Sequence, residues 1–263
     1  MPGQLVVVKL GGELLETPER LAEVTTGLAA LADDSPLVIV HGGGREIDAE
    51  LHRRGIARQA VDGLRVTDAA TLEAVVAVLA GTINTRLVAA LVTRGVQAVG
   101  LTGVDGGLAR ATRMPPHGAL DGRTVDLGLV GTPDAGASST LLIDLVAQGH
   151  VPVVASLGVD ADGQVLNVNA DTLAAHVTGL AHATTLVFCG ATAGVLDGKG
   201  ATIPALSRTA ALALIEDGTA SAGMVAKLRA ALAALEAGAA EVWIVDGRTT
   251  AGLLERHGTR LSP

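Results

Sequence analysis

Of the 19 basic residues in this 263-residue chain, 16 are arginine and three are lysine: Lys9, Lys199 and Lys227. A chain that has drifted so far towards arginine gives each surviving lysine a local question, because a compact ammonium and a planar guanidinium fork do different work. Lys9 lies in Lys9-Leu10-Gly11-Gly12, at the end of an apolar run where an unpaired ammonium would be costly to bury. Consecutive glycines let the backbone approach an anion and aim N–H donors at it. His41-Gly42-Gly43-Gly44 is a second glycine turn leading into a helix. It is neither a Walker A loop, since no Gly-Lys-Ser/Thr follows, nor a dinucleotide fingerprint, since Ile47 stands where the last glycine would fall. Either turn could equally be a tight strand-to-helix connection without a ligand.

Lys227, in Gly223-Met224-Val225-Ala226-Lys227, stands near the start of an alanine-rich helix that otherwise exposes Arg229 and Glu236, so a surface lysine and a site lysine both fit. Lys199, in Leu196-Asp197-Gly198-Lys199-Gly200, reads as an exposed turn residue. In Asn167-Val168-Asn169-Ala170-Asp171, Asn169 or Asp171 can cap the following helix. A cap leaves Asn167 unexplained. Arg65, before a helix starting near Asp68, is free to grip a carboxylate with its fork.

The elements that must carry these residues alternate from end to end. Apolar runs Leu5 to Leu10, Leu37 to Val40, Val96 to Leu101, Val151 to Ala155, Thr185 to Cys189 and Glu241 to Val245 are separated by helical patterns, as in a parallel α/β sheet. Helices are expected over Pro18 to Ala32, from Gly44 through Arg54, Ser138 to Gln148, Ala170 to Leu180, Thr209 to Glu216 and Gly223 to Ala237. Two more are expected within Asp68 to Arg94, separated near Gly81. Residues Gly103 to Gly136 read as antiparallel hairpins over the sheet edge, and Asp160-Ala161-Asp162-Gly163 as a hairpin turn.

Composition removes several classes of function. Aromatic residues make up 1% of the chain, too few for a base-stacking platform. A net charge of −8 argues against broad binding to nucleic acid or anionic lipid. The single Cys189 cannot form an intrachain disulfide, and no Cys/His cluster has zinc spacing. No secretory leader is expected, nor an apolar span uninterrupted by charge or glycine, so the expected location is the cytoplasm.

Taken in order, Lys9 to Gly12, His41 to Gly44, Gly63 to Thr67, Gly100-Leu101-Thr102-Gly103 with Asp105-Gly106, Asn167 to Asp171, Leu196 to Gly200, Gly223-Met224 with Lys227, and Gly258-Thr259-Arg260 resemble the amino acid kinase superfamily. Within it they look most like the acetylglutamate kinases of arginine biosynthesis. The resemblance implies a three-layer αβα sandwich around an open, mainly parallel sheet, with an amino-terminal lobe (1–180) for the acyl amino acid and dimer contact and a carboxy-terminal lobe (181–263) for ATP. It implies that ATP, with Mg²⁺ held mainly by the phosphates and water, phosphorylates the side-chain carboxylate of N-acetyl-L-glutamate. Lys9 and Lys227 resemble the lysines that stabilise the transferring group, and Asp171 the carboxylate that holds them. Gly43, Gly44, Arg65 and Asn167 match substrate-contacting positions, Gly12 and Gly44 the backbone donors along the phosphoryl path, and Gly11 with Gly12 the phosphate-binding turn. Ala191-Thr192-Ala193-Gly194-Val195-Leu196 and Thr219-Ala220-Ser221 fall where the family holds the nucleotide.

One departure stands out: the family usually carries an acidic residue at the position of Ala191. The related kinase of carrier-bound aminoadipate in lysine biosynthesis and a non-catalytic nucleotide or amino-acid sensor are the alternatives. The three-glycine turn and the Asn167 to Asp171 segment speak against the first, and both motif lysines with Asp171 against the second. No nucleic-acid or membrane partner is expected. The short segment before the first strand leads, through the same resemblance, to an expected homodimer insensitive to arginine.

Overall fold

Alternation within the apolar strands sets the layering. The computed structural model describes residues 4–119, 122–220 and 222–263. Its main sheet has eight strands: β1 (Val6–Leu10), β2 (Leu37–His41), β5 (Ala98–Thr102), β10 (Val151–Ala155), β13 (Thr185–Gly190), β14 (Ala205–Ser207), β15 (Glu241–Asp246) and β16 (Gly258–Ser262). They run in the order β14-β16-β15-β13-β1-β2-β10-β5, with every pair parallel except β15 with β16.

Successive side chains in a strand point to opposite faces, and two cores result. Val7, Val38, Val40, Leu186 and Phe188 pack with α5 (Thr140–Ala147), α6 (Ala170–Leu180), α7 (Arg208–Glu216) and α8 (Ala222–Glu236). Val6, Val8, Leu10, Ile39 and Val187 pack on the other side with α1 (Pro18–Asp34), α2 (Gly44–Arg53), α3 (Ala69–Val76), α4 (Asn84–Val92) and α9 (Thr250–Leu254). The chain is a three-layer α/β sandwich, as expected. Lys9 shares its face with Val7, so it points into the layer that holds α6 and α8.

A second sheet, β11-β12-β9-β6, joins β6 (Ala111–Arg113), β9 (Val130–Pro133), β11 (Leu157–Val159) and β12 (Val165–Val168). The β11–β12 hairpin turns where expected, with Asp160 Oδ1 accepting the N–H groups of Asp162 and Gln164, each at 2.9 Å. Two short hairpins, β3 (Ala60–Val61) with β4 (Leu64–Arg65) and β7 (His117–Gly118) with β8 (Thr124–Val125), complete the strands.

The segment 69–92 departs from expectation. The two helices do not separate near Gly81 but join through a π-helical stretch, Ala77–Ile83, into one helix. Its buried residues Val75, Leu79, Ile83, Leu87 and Leu91 recur every four positions. Such a run outpaces a 3.6-residue period, and the wider π turn takes up the difference. By length and composition this helix could cross a membrane, although Gly81, Glu73 and Arg86 interrupt its apolar run; one face of it, Val75 to Leu91, is buried in the core.

Candidate active site

The carboxyl ends of β1, β2 and β13 lie side by side at the centre of the sheet, where open α/β folds gather their ligands. Lys9 emerges there from β1, in register with Val40 on β2 and Phe188 on β13. It meets the start of α6. Asn169 caps that helix, its Oδ1 accepting the N–H groups of Asp171 at 2.9 Å and Thr172 at 3.1 Å. With the cap supplied by Asn169, the Asp171 carboxylate is released for other partners. Lys9 Nζ stands 2.9 Å from Asp171 Oδ1, and Lys227 Nζ, from the adjacent α8, 3.4 Å from Asp171 Oδ2. Lys227 also lies 5.2 Å above the Phe188 ring, a cation–π contact.

The three groups titrate as one cluster. Burial disfavours charge on Asp171, yet the two ammonium groups outweigh it and hold the carboxyl below its ordinary range. Burial likewise opposes charge on Lys9, but attraction to Asp171 and the hydrogen bond that the ammonium donates to it hold the Lys9 pKa above the usual value. Lys227 moves the other way: burial and repulsion from Lys9 together exceed what Asp171 returns, and its pKa is lowered.

The two glycine turns pack on one another. A Cβ at Gly12 would lie 3.3 Å from the Gly43 Cα, and one at Gly43 would run into Ile83 and within 3.1 Å of Leu79 Cδ2. The π segment thus sets the floor of the second turn. Beneath it, Asn84 Nδ2 lies 3.1 Å from His41 Nε2, 3.1 Å from Leu101 O and 2.9 Å from Val153 O. His41 Nδ1 faces the Gly42 carbonyl at 3.1 Å, which can only accept, and Nε2 faces the Asn84 amide nitrogen, which can only donate, so the arrangement suits a neutral imidazole with its proton on Nδ1. Burial, reinforced by repulsion from Lys9, pushes its pKa down to about 4.

Arg65 and Asn167 reach the same region from the hairpin β3–β4 and from β12. The Arg65 Nη2 donates to the Gly44 carbonyl at 3.1 Å and pairs with Asp48 at 2.5 Å, leaving Nη1 buried without a hydrogen-bond partner. An unpaired guanidinium nitrogen beside a helix start is a fitting half of a bidentate carboxylate grip. Asn167 Nδ2 donates to Thr67 Oγ1 at 3.1 Å, which donates to the Arg65 carbonyl at 3.1 Å, so Gly63–Thr67 and the asparagine segment form one wall.

The segment 191–196 follows β13. Gly194 adopts φ +114°, and a Cβ there would lie 2.6 Å from Thr259 Oγ1. That buried hydroxyl accepts the Val195 N–H at 2.8 Å and donates to the Ile203 carbonyl at 2.6 Å, which explains the closing Gly258-Thr259-Arg260 motif as an anchor for this loop. Thr192, Ala193 and Leu196 are exposed, Ala191 is half-buried and Val195 packs inward. Thr219 is exposed, its N–H used locally by Asp217, and Ala220 packs against the core that includes Val195; Ser221 lies outside the described residues. Lys199 is exposed in its turn, as expected.

The sequence reading missed three supporting residues. Asn84 was visible only as a lone amide in an apolar helix, and Asp48 as one acid on an amphipathic one. Glu13 gave no signal: its Oε1 accepts the Ala191 N–H at 3.0 Å, a contact set by how β1 and β13 end. Among the described residues no three His, Cys, Asp or Glu side chains converge as a metal site.

Residues 4–246 match the amino acid kinase family. The chain is 44% identical over 262 residues to the acetylglutamate kinase of Acidiphilium cryptum, covering 96% of this chain and 86% of that one. Among solved structures it resembles the N-acetylglutamate synthase of Neisseria gonorrhoeae complexed with coenzyme A and N-acetyl-glutamate, with a TM-score of 0.85 and 27% identity over all of this chain but only 60% of that longer one. A Giardia carbamate kinase shares the fold, with a TM-score of 0.71 and 16% identity over 100% of this chain and 99% of that one.

Proposed function

The chain belongs to the amino acid kinase family, in its acetylglutamate kinase branch, and from that premise we propose how its residues divide the work. The reaction is the ATP-dependent phosphorylation of N-acetyl-L-glutamate on its side-chain carboxylate, a step of arginine biosynthesis. A carboxylate oxygen bonds to the γ-phosphorus as the bond to the ADP oxygen breaks. The acceptor is already ionised at neutral pH and no proton need leave it, so the absence of a nucleophile–base dyad is no gap. The task is to bring two anions together and stabilise charge along an in-line transfer.

The observation that carries this division is the buried pair of ammonium groups on one carboxylate. Lys9 and Lys227 stabilise the transferring phosphoryl group, and Asp171 keeps the two like charges aimed at one point. Gly12 and the turn Gly43-Gly44 supply N–H donors beside them; Gly11, expected in the phosphate-binding turn, gives its own N–H to the Cys189 carbonyl at 2.8 Å and serves there as backbone only. Arg65 grips a carboxylate of the acyl amino acid through Nη1, and Asn167 orients the same substrate. Ala191 to Leu196 with Thr219 to Ser221 holds ATP. Mg²⁺, when bound with the nucleotide, neutralises phosphate charge.

The division into an acceptor lobe (1–180) and a nucleotide lobe (181–263), a homodimer and a cytoplasmic location belong to the same reading. An ADP-release assay with acetylglutamate, free glutamate and carrier-linked aminoadipate tests the substrate: turnover is expected with the first alone. Equal turnover with the aminoadipate compound would contradict it.

A further inference from the structure

Glu13 sits where the established roles leave no work for it. It lies in a single 3₁₀ turn, Gly12–Leu14, directly after the Lys9 motif. Its side chain folds back over the backbone, so that a Cβ at Gly11 would lie within 2.6 Å of both its Cδ and its Oε2, and one at Gly190 would lie 3.0 Å from its Oε1. The carboxylate therefore spans the ends of β1 and β13, with Oε1 on the Ala191 N–H at 3.0 Å. It favours the charged form of both Lys9 and Lys227. A third side fixes the turn: the Glu13 carbonyl accepts from Arg20 Nη1 at 3.0 Å.

Such a group has a definite electrostatic consequence for a neighbouring polyphosphate. Beside Lys9 and Lys227 a bare phosphate would be drawn in by two ammonium groups and repelled by this carboxylate. A divalent cation on the phosphate inverts the second term, since hard cations take carboxylate oxygens directly or through water. Asp171 is not available for this, because its two oxygens face the two lysines. Ala191, half-buried at the loop start, has no carboxylate to offer.

We propose that Glu13 is the carboxylate with which this chain faces the divalent cation accompanying ATP, supplied from the turn after β1 and braced on the Ala191 backbone. The proposal rests on the reading of residues 191–196 as the nucleotide loop. Glu13 thereby selects metal-complexed over free nucleotide.

Direct binding measured by calorimetry, with ATP in excess Mg²⁺ and ATP in chelator, separates the possibilities. Wild-type protein prefers the Mg²⁺ complex. Glu13→Gln keeps an oxygen for the Ala191 N–H and removes only the charge, and should cut the preference about tenfold, weakening the complex and tightening free ATP, the scale of one charge contact. Recovery of the preference when Ala191→Asp is added to Glu13→Gln supports the proposal. A carboxylate that only braced the loop would leave the ratio unchanged in Glu13→Gln, and that result overturns it while the kinase reading stands. Failure of the wild-type protein to bind Mg·ATP at all would overturn the nucleotide reading and this proposal together.

Discussion

Lys9 and Lys227, drawn from the first strand and from a helix near the end of the chain, are joined through one carboxylate, at 2.9 Å to Asp171 Oδ1 and 3.4 Å to Oδ2. The arrangement is asymmetric. Lys9 has the shorter contact and a raised pKa, whereas Lys227, farther off and repelled by Lys9, has a lowered one. The lysine that yields its proton first as pH rises is therefore Lys227.

Replacing Asp171 by asparagine keeps the shape and removes the charge that supports both ammonium groups. The pKa of Lys227 then falls further, so the alkaline limb of kcat should move to lower pH, with a loss of about 1.5–3 kcal/mol for a bond to a charged group. A pH–rate profile checks this; an alkaline limb left in place would contradict the assigned role.

Arg65→Ala removes the guanidinium whose Nη1 has no partner in the site. The KM for acetylglutamate should rise roughly 10- to 100-fold with little change for ATP, the pattern of a lost carboxylate contact. Arg65→Lys, a point charge without the fork, should recover only part of it.

His41 makes the fold sensitive to moderate acid. Its pKa lies at about 4 in the folded chain against 6.5 ordinarily, so the unfolded state binds the extra proton between those values. Its contribution is complete above pH 6.5 and is lost progressively as pH falls towards 4, by about 3 kcal/mol at most. Urea unfolding at stepped pH should show this slope in the wild type and a flatter one in His41→Gln.

Thr259→Val preserves shape but removes the hydroxyl between Val195 and Ile203. Stability should fall by about 1–3 kcal/mol, for a buried N–H left unpaired, and the KM for ATP should rise as the loop loosens. Denaturant midpoints and ATP titrations measure the two effects; a KM unchanged alongside the lost stability would separate this loop from the nucleotide.

Much of this was legible beforehand because it is local. Strand alternation, the glycine turns and the start of α6 at Ala170 follow from neighbouring residues, and the lysine count marked Lys9. What was hidden depends on pairing between distant segments. Glu13 acquires a role only once β1 and β13 are in register, and Asn84 only once the π segment carries it beneath His41. Strand β14 and the short α9 escaped because each is brief and gains its stability from its neighbours, and β16 because only Leu261 of its five residues is apolar. Gly81 read as a break because glycine weakens helices; tertiary packing of the leucines around it keeps the helix whole.

The central claim is that Lys9 and Lys227 carry phosphoryl transfer rather than binding. Its most direct test is the rate at which wild-type, Lys9→Ala and Lys227→Ala proteins form hydroxylamine-trappable acyl phosphate from ATP and N-acetyl-L-glutamate. Loss of one such donor costs about 2–4 kcal/mol of transition-state stabilisation. The account predicts product from the wild type and a rate lower by roughly 30- to 1,000-fold in each variant, with arginine at either position a poor substitute. Near-wild-type rates in both alanine variants would contradict it.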